Sequence, residues 1–244
     1  EPEPTSWKEV VKGEFPFPIA RAYTVFENEA DHAPCNRLKA LIDVSEAVVY
    51  YLYGILAAEQ LRRLQLNEVS ESEIILSYSI GKRIDFVLSL LKQASRDSTI
   101  TLFMPELVDA RDAFGVCKDI NQNLRNQYAH IMNQPPKWCR DKIRRYRPRL
   151  ERLLESLMII RGYTLAQVSH IAVRNGRPQH TIVSMMGNSP YFVAQVEDLD
   201  ELLADTYHVI LIDREFGVLD LHPFYILHAW ESTGMYDHLC HFKE

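Results

Sequence analysis

The chain has 244 residues, 47% of them hydrophobic, and a formal net charge of −6 at pH 7. This length allows one large domain or two modest ones with buried cores. The negative charge excludes a protein that attracts nucleic acid over its whole surface, so any such contact requires a local basic patch.

The cysteines and the apolar runs exclude two further classes of protein. The four cysteines form no C-x-x-C pair, which argues against a disulfide framework or a four-thiolate zinc site. A reducing, cytoplasmic compartment is therefore expected. The longest apolar run, residues 47–58, has about 12 residues, whereas a membrane-spanning helix needs about 20. No membrane segment is predicted. The cysteines are Cys35, Cys117, Cys139 and Cys240.

The N-terminal half has the pattern of long helices. Residues 1–30 contain four prolines among aromatic residues, which predicts an extended arm with at most a short helix near Trp7. From residue 37 to about 64, apolar residues recur at helical spacing. A second helix is predicted at 71–94, where Gly81 indicates a close helix contact.

Two further helices complete the predicted helical domain at 31–162. The third, opened by Pro105, covers about residues 106–132. The fourth covers about 138–161, where Pro148 is expected to kink or divide it because proline removes a helix hydrogen bond. Four long helices with short connections predict an antiparallel four-helix bundle.

After Gly162 the period changes to that of strands. Short β-like runs separated by turn residues are typical of an antiparallel sheet. The fold class is therefore α+β, with the helical bundle followed by a smaller β-rich domain at 163–244. This second domain is expected to bind a regulatory protein or ligand, or to position substrate. Strands are predicted at 167–173, 181–186, 191–196, 208–212, 218–221 and 225–230, and a small helix at 198–204.

The third helix carries an arginine and a histidine five positions apart, Arg125 and His130. A ribonuclease that works without metal needs proton transfer near neutral pH, which histidine supplies, and positive charge at the phosphate, which arginine supplies. Positions five apart on an α-helix differ by roughly 140°, whereas Asn126 and His130 share a face. We therefore expect Asn126 and His130 to line a groove that Arg125 reaches from its flank.

One copy of this pattern supplies a single histidine. Two copies across a two-fold axis would bring two histidines and two arginines to one phosphate, which favours a homodimer. The spacing alone is a weak signal, because Arg174 and His180 form a similar pair within an Asn-Gly-Arg-Pro turn. The alternative for Arg125 and His130 is a surface arginine and a hydrogen-bonded histidine.

The run Arg-Asn-Gln-Tyr-Ala-His at 125–130 resembles the R-x4-6-H signature of the HEPN superfamily, and the similarity covers about residues 31–162. The resemblance implies a metal-independent, cofactor-free endoribonuclease that acts as a dimer, with Arg125, Asn126 and His130 as its catalytic residues. Such domains occur in toxin–antitoxin, anti-phage and CRISPR systems. Met132 stands where the subgroup paired with nucleotidyltransferase antitoxins usually has tyrosine, which argues against that partnership.

Other charged groups have two interpretations each. Asp43 and Glu46 on the first long helix could orient Arg125 or polarise His130, or they are surface charges. The C-terminal histidines match no zinc spacing, so no metal is expected. A basic run after the motif predicts contact with an RNA backbone, the alternative being a solvated helix face. Its residues are Arg140, Lys142, Arg144, Arg145, Arg147 and Arg149.

The leading hypothesis is a dimeric, metal-independent endoribonuclease that cleaves RNA by attack of the 2′-hydroxyl at a dimer-interface site, as a defence or toxin effector. The alternative belongs to another class. It is a non-catalytic dimerisation or interaction module within a larger complex.

Overall fold

Helices occupy the first part of the chain and antiparallel strands the second, so the predicted α+β class is confirmed. The computed structural model describes residues 6–65, 79–130, 135–189, 194–197, 199, 206–215, 217–224, 226–228 and 238–240. The α-helices are α1 (Trp7–Glu14), α2 (Phe17–Asn28), α3 (Pro34–Gln65), α4 (Ile80–Ala94), α5 (Arg111–Lys118), α6 (Arg125–His130) and α7 (Pro136–Ser156). The strands are β1 (Thr164–Arg174), β2 (Arg177–Ser184), β3 (Ala194–Glu197), β4 (Val209–Ile212), β5 (Val218–Asp220), β6 (Ile226–His228) and β7 (His238–Cys240).

The N-terminal segment is helical. Helix α1 agrees with the short helix expected near Trp7, whereas the extended arm predicted for the rest of 1–30 is wrong over α2. Pro16 precedes α2 and Pro18 lies in its first turn. There the missing N–H costs nothing, because first-turn N–H groups have no partner within the helix. Aromatic and aliphatic residues of this segment are fully buried in the core. They are Phe15, Ile19, Tyr23 and Phe26.

The connection between α1 and α2 is hydrogen-bonded to the turn that follows β2. The Phe17 N–H donates to the Met185 carbonyl at 2.8 Å, and the Gly187 N–H donates to the Phe15 carbonyl at 2.7 Å. Gly187 has a φ of +73°, and a Cβ there would lie 2.7 Å from the Gly13 carbonyl oxygen. Glycine is therefore required by both conformation and close approach.

Helix α3 is the central element of the core. It has 32 residues, and among the described helices it alone is long and apolar enough to cross a membrane, a length that the 12-residue apolar run did not reveal. Of its most apolar window, 78% is buried inside the protein. Such burial is typical of the core helix of a soluble protein.

The predicted third helix is divided, and a single α-helix over 106–132 is wrong. The path begins with a 3₁₀ turn (Pro105–Ala110), continues as α5, passes through a π-helical segment (Asp119–Leu124) and ends in α6. Residues 131–132, and residues 71–78 of the predicted second helix, lie outside the described residues.

Helix α7 runs undivided through Pro148 and is followed by a 3₁₀ turn (Met158–Gly162). The predicted division at Pro148 is therefore wrong. Pro148 lies on the exposed side of α7, where water can serve the carbonyl one turn earlier.

The strands form an antiparallel sheet of order β3-β2-β1-β4-β5, and β6 pairs with β7 separately. Asn175 and Gly176 connect β1 to β2 with φ values of 51° and 76°, as a two-residue hairpin turn requires. The second arginine–histidine pair, Arg174 and His180, thus lies on a hairpin and not on a helix. The predicted small helix at 198–204 lies outside the described residues except for Leu199.

The hydrophobic core does not divide at the predicted domain boundary. Gly162 marks the change from helices to strands, but Leu165 and Leu211 of the sheet belong to the same buried cluster as α3. The rings of Tyr53 in α3 and Phe224 after β5 meet edge to face, with centroids 6.3 Å apart. Part of the sheet therefore shares the core of the helices. Other sheet residues, among them Ala166, Val168 and Ile210, form a separate buried cluster.

Candidate functional site

The predicted motif occupies α6, directly after the π-helical segment. The Arg125 N–H donates to the Ile120 carbonyl five positions earlier, where an α-helix would use position four. Such single π turns occur frequently at functional sites and insert one extra residue into a helix. Asn123 lies in this segment, whereas Asn126 and His130 lie in α6. The helical period therefore changes between Asn123 and Asn126.

Asparagine side chains stabilise the altered backbone. Asn121 is 1% exposed, and its Nδ2 donates to Ser45 Oγ and to the Cys117 carbonyl, both at 2.9 Å. Asn126 Nδ2 donates to the Gln122 carbonyl at 2.7 Å. Both side chains thus donate a hydrogen bond to the carbonyl four positions earlier. Asn121 does so where α5 passes into the π-helical segment, and Asn126 where that segment passes into α6.

Arg125 forms an ion pair with Glu46 of α3. Its Nε lies 2.5 Å from Glu46 Oε1, and the side chains are 46% and 22% exposed. The contact uses Nε, which carries one of the five N–H donors of the guanidinium. The pair therefore holds the arginine in place while half of it faces solvent.

Burial dominates the electrostatics of Glu46. Desolvation raises the pKa of its carboxyl, the Arg125 charge opposes that rise, and the nearby Asp43 charge adds to it. Tyr50, one turn further along α3, has a raised pKa because of burial and the Glu46 charge, opposed by the charges of Arg83 and Arg125. These four groups therefore form one electrostatic cluster, which we call the Glu46 cluster: Glu46, Tyr50, Arg83 and Arg125.

Arg83 joins α4 to this cluster. It is 4% exposed, and its guanidinium carbon lies 4.9 Å and 5.0 Å from the ring centres of Tyr50 and Tyr53. Gly81 brings α4 close to the π-helical segment, since a Cβ there would lie 3.2 Å from Gln122 Nε2. Sequence reasoning predicted the close contact at Gly81 but missed Arg83 and Tyr50. The available signal was an arginine at an apolar position of an amphipathic helix.

The two predicted supporting carboxylates differ in what they contact. Glu46 contacts Arg125, as one interpretation predicted. Asp43 pairs with Lys39 at 2.8 Å on the exposed side of α3. His130 is the last residue of α6, and its backbone alone is described. The α-helical course from Asn126 to His130 keeps these two positions on one face of α6.

The predicted RNA-binding residues of α7 fall into two groups. Arg147 contacts Glu27 at 3.0 Å and Glu151 at 2.8 Å, and Arg149 contacts Asp119 at 2.7 Å. These two guanidiniums are neutralised within the protein and fasten α7 to α2 and to the π-helical segment.

The other group lies closer to solvent or to the motif helix. Lys142 Nζ donates to Gln127 Oε1 at 3.1 Å, which connects α7 to α6. Arg140, Arg144 and Arg145 are exposed, and Arg144 makes a distant contact of 3.9 Å with Asp141. The RNA-binding prediction therefore applies best to these exposed arginines and Lys142.

A second polar cluster lies in the sheet. His208 Nδ1 is 2.7 Å from Asp220 Oδ2, and the His208 and His222 rings stack with centroids 4.4 Å apart. The His222 N–H donates to Asp220 Oδ1 at 2.9 Å. Asp220 and the His208 ring thus hold His222 in place directly after β5. Within the described parts of the chain, no three histidine, cysteine or acidic residues gather as a metal site would require.

Comparison of the chain with protein-family models, curated proteins and solved structures finds no match.

Proposed function

We propose that this chain is a metal-independent endoribonuclease of the HEPN type, with Arg125, Asn126 and His130 as its catalytic residues. The observation that carries the proposal is the contact between Arg125 and Glu46. It holds an arginine at the start of the helix that bears Asn126 and His130, with 46% of the arginine side chain exposed.

The chemistry follows from the residue types. A base removes the proton of an RNA 2′-hydroxyl, whose oxygen attacks the adjacent phosphorus. The bond from phosphorus to the 5′-oxygen breaks, and an acid returns a proton to the leaving oxygen. His130 performs the proton transfers, Arg125 stabilises the negative charge of the transition state, and the Asn126 amide orients the substrate. The products carry 2′,3′-cyclic phosphate and 5′-hydroxyl ends.

Two copies of the chain complete the site. One histidine would have to act first as base and then as acid, whereas two histidines across a two-fold axis divide these tasks. In this proposal α3, α4, the α5–α6 path and α7 constitute the antiparallel four-helix bundle of the HEPN fold. α6 faces its counterpart in the partner. The exposed arginines of α7 contact the RNA backbone near the site.

The proposed enzyme belongs to the defence or toxin effectors of the cytoplasm, and the sheet binds the regulatory protein or ligand that controls it. The same bundle without activity would be an interaction module. The two candidates differ in one measurable property, which is RNA cleavage in the absence of metal.

The test is incubation of end-labelled RNA with the purified chain in EDTA. We expect cleavage by the wild type and a loss of about 10²–10⁴-fold in His130→Ala, as for removal of a general acid–base group. In Arg125→Ala we expect a loss of about 10²–10³-fold. Arg174→Ala is the matched control, because it removes an exposed arginine from the similarly spaced hairpin pair and is expected to leave cleavage unchanged.

The chemistry of the product ends provides the second readout. Cyclic phosphate ends support attack by the 2′-hydroxyl. Plain 3′-hydroxyl ends, or equal cleavage by all four proteins, would contradict the proposal. A folded wild-type dimer that cleaves no RNA favours the interaction module.

A further inference from the structure

Two cysteines distant in sequence lie in direct contact. Cys35 is in the first turn of α3 and Cys139 is in the first turn of α7, 104 positions later. Their sulfur atoms are 2.6 Å apart, about half an ångström more than the ~2.04 Å of a disulfide bond. Packing of α3 against α7 creates this pair, which spacing along the sequence does not indicate.

The surroundings of the two thiols differ. Cys139 is fully buried, whereas Cys35 is partly exposed. Burial raises the pKa of the Cys139 thiol, and its hydrogen bond with Cys35 raises that pKa further. An oxidant from solvent therefore meets Cys35 first, and Cys139 stands behind it as the second thiol.

We propose that Cys35 and Cys139 form a reversible intramolecular disulfide when the protein meets a peroxide. The Cys35 thiol loses its proton and its sulfur attacks one peroxide oxygen. The O–O bond breaks, which leaves a sulfenic acid, and the departing hydroxide takes up the proton to give water. The Cys139 sulfur then attacks the Cys35 sulfur, which releases a second water and forms the S–S bond. Both sulfurs together lose two electrons and two protons, and the peroxide is reduced to two waters.

The bond would join the beginnings of α3 and α7 beside the motif helix. The Tyr128 hydroxyl of α6 donates to the Cys35 carbonyl at 3.4 Å, so the first turn of α3 is also in contact with α6. Closing a loop of 104 residues restricts the unfolded chain strongly. This inference concerns the thiols alone and does not depend on the proposed ribonuclease activity.

The test uses the full chain treated with hydrogen peroxide and then with dithiothreitol. We expect the intact mass to fall by about 2 Da, and to recover on reduction. A non-reducing peptide map should contain one cross-linked peptide joining Cys35 to Cys139. The oxidised protein should melt higher than the reduced protein, on the order of 5–15 °C.

Two variants distinguish this pair from other thiols. Cys117→Ala removes a buried cysteine elsewhere in the core and should still form the cross-link. Cys35→Ala should lose both the cross-link and the rise in melting temperature. Separate sulfinic acids, cross-links to another chain, or no change of mass in the wild type would each overturn the proposal, and the wild-type map decides even if a variant fails to fold.

Discussion

Glu46 illustrates at the scale of one residue how function can explain an electrostatic cost. A carboxylate that burial disfavours, as the raised pKa of Glu46 records, contributes little to stability even beside an arginine. In the proposed function, its value lies in holding the Arg125 guanidinium in one orientation. If Glu46 serves to position Arg125 and not to stabilise the fold, replacing it by an uncharged side chain of the same shape should lower RNA cleavage without lowering stability.

Glu46→Gln is therefore expected to leave stability at pH 7 unchanged or up to about 1 kcal/mol higher, because the buried charge is removed. RNA cleavage should fall about 10-fold or more, because Arg125 loses its partner. Urea unfolding and single-turnover cleavage measure the two quantities. Gln127→Ala on α6 is the control, which tests whether a substitution elsewhere near Arg125 also lowers RNA cleavage.

The pH dependence of the same pair has a defined sign. The pKa of Glu46 is higher in the folded state than the ordinary 4.5, so the folded state binds this proton more tightly. The stability that the wild type gains from binding this proton is fully present below the ordinary pKa. It is lost as pH rises through the pKa of Glu46 in the folded state. The free energy of unfolding of the wild type, minus that of Glu46→Gln, should therefore decrease as pH rises from about 4 to neutral. A difference that rises with pH would contradict the raised pKa.

At the scale of an element, the buried side chain of Asn121 stabilises the π-helical segment. The π-helical segment is connected to α3 through the buried bond from Asn121 to Ser45. Asn121 Oδ1, by contrast, finds no partner among the described residues. The contributions of the two partners to stability are coupled, because removing either one leaves the other buried without its hydrogen bond.

A double-mutant cycle tests this coupling. Asn121→Ala should cost about 1–3 kcal/mol and Ser45→Ala about 1 kcal/mol, while the double variant should cost less than their sum. Chemical denaturation measures the free energies of unfolding. Asn123→Ala, exposed on the same π-helical segment, is expected to change stability by no more than about 0.5 kcal/mol. Strict additivity would show that the bond does not join the two elements.

At the scale of the whole molecule, the N-terminal helices and the sheet belong to one structure. The connection between α1 and α2 pairs with the turn after β2, and α3 packs against residues of both halves. Removal of either end of the chain therefore exposes core surface. An extended arm could be deleted without such a cost.

Deletion of residues 1–30 is expected to prevent cooperative folding. It removes four large, fully buried side chains, each worth about 1.5–3 kcal/mol of burial. The sum, on the order of 6–12 kcal/mol, matches the entire stability of a typical domain. Thermal unfolding followed by circular dichroism measures the outcome. A truncated chain that melts cooperatively at the wild-type temperature would show that the segment is dispensable.

Sequence alone determined the elements whose side chains follow a regular period. The helical repeat of α3 and α7, the turn at Asn175-Gly176 and the switch to strands after Gly162 are local properties, because neighbouring residues set them. It also identified Arg125 and Glu46 as candidate partners on facing helices. The proline-rich N-terminal segment misled it, since prolines that start a helix look like prolines that prevent one.

Only the tertiary structure decided the features that depend on distant residues. The π-helical segment leaves no mark in the apolar pattern, because its buried residues Ile120 and Leu124 are four positions apart, as in an α-helix. The ion pair of Arg147, the buried Arg83 beside Tyr50, and the contact of Cys35 with Cys139 join residues far apart in the chain. Their partners are chosen by packing in three dimensions, which no local period encodes.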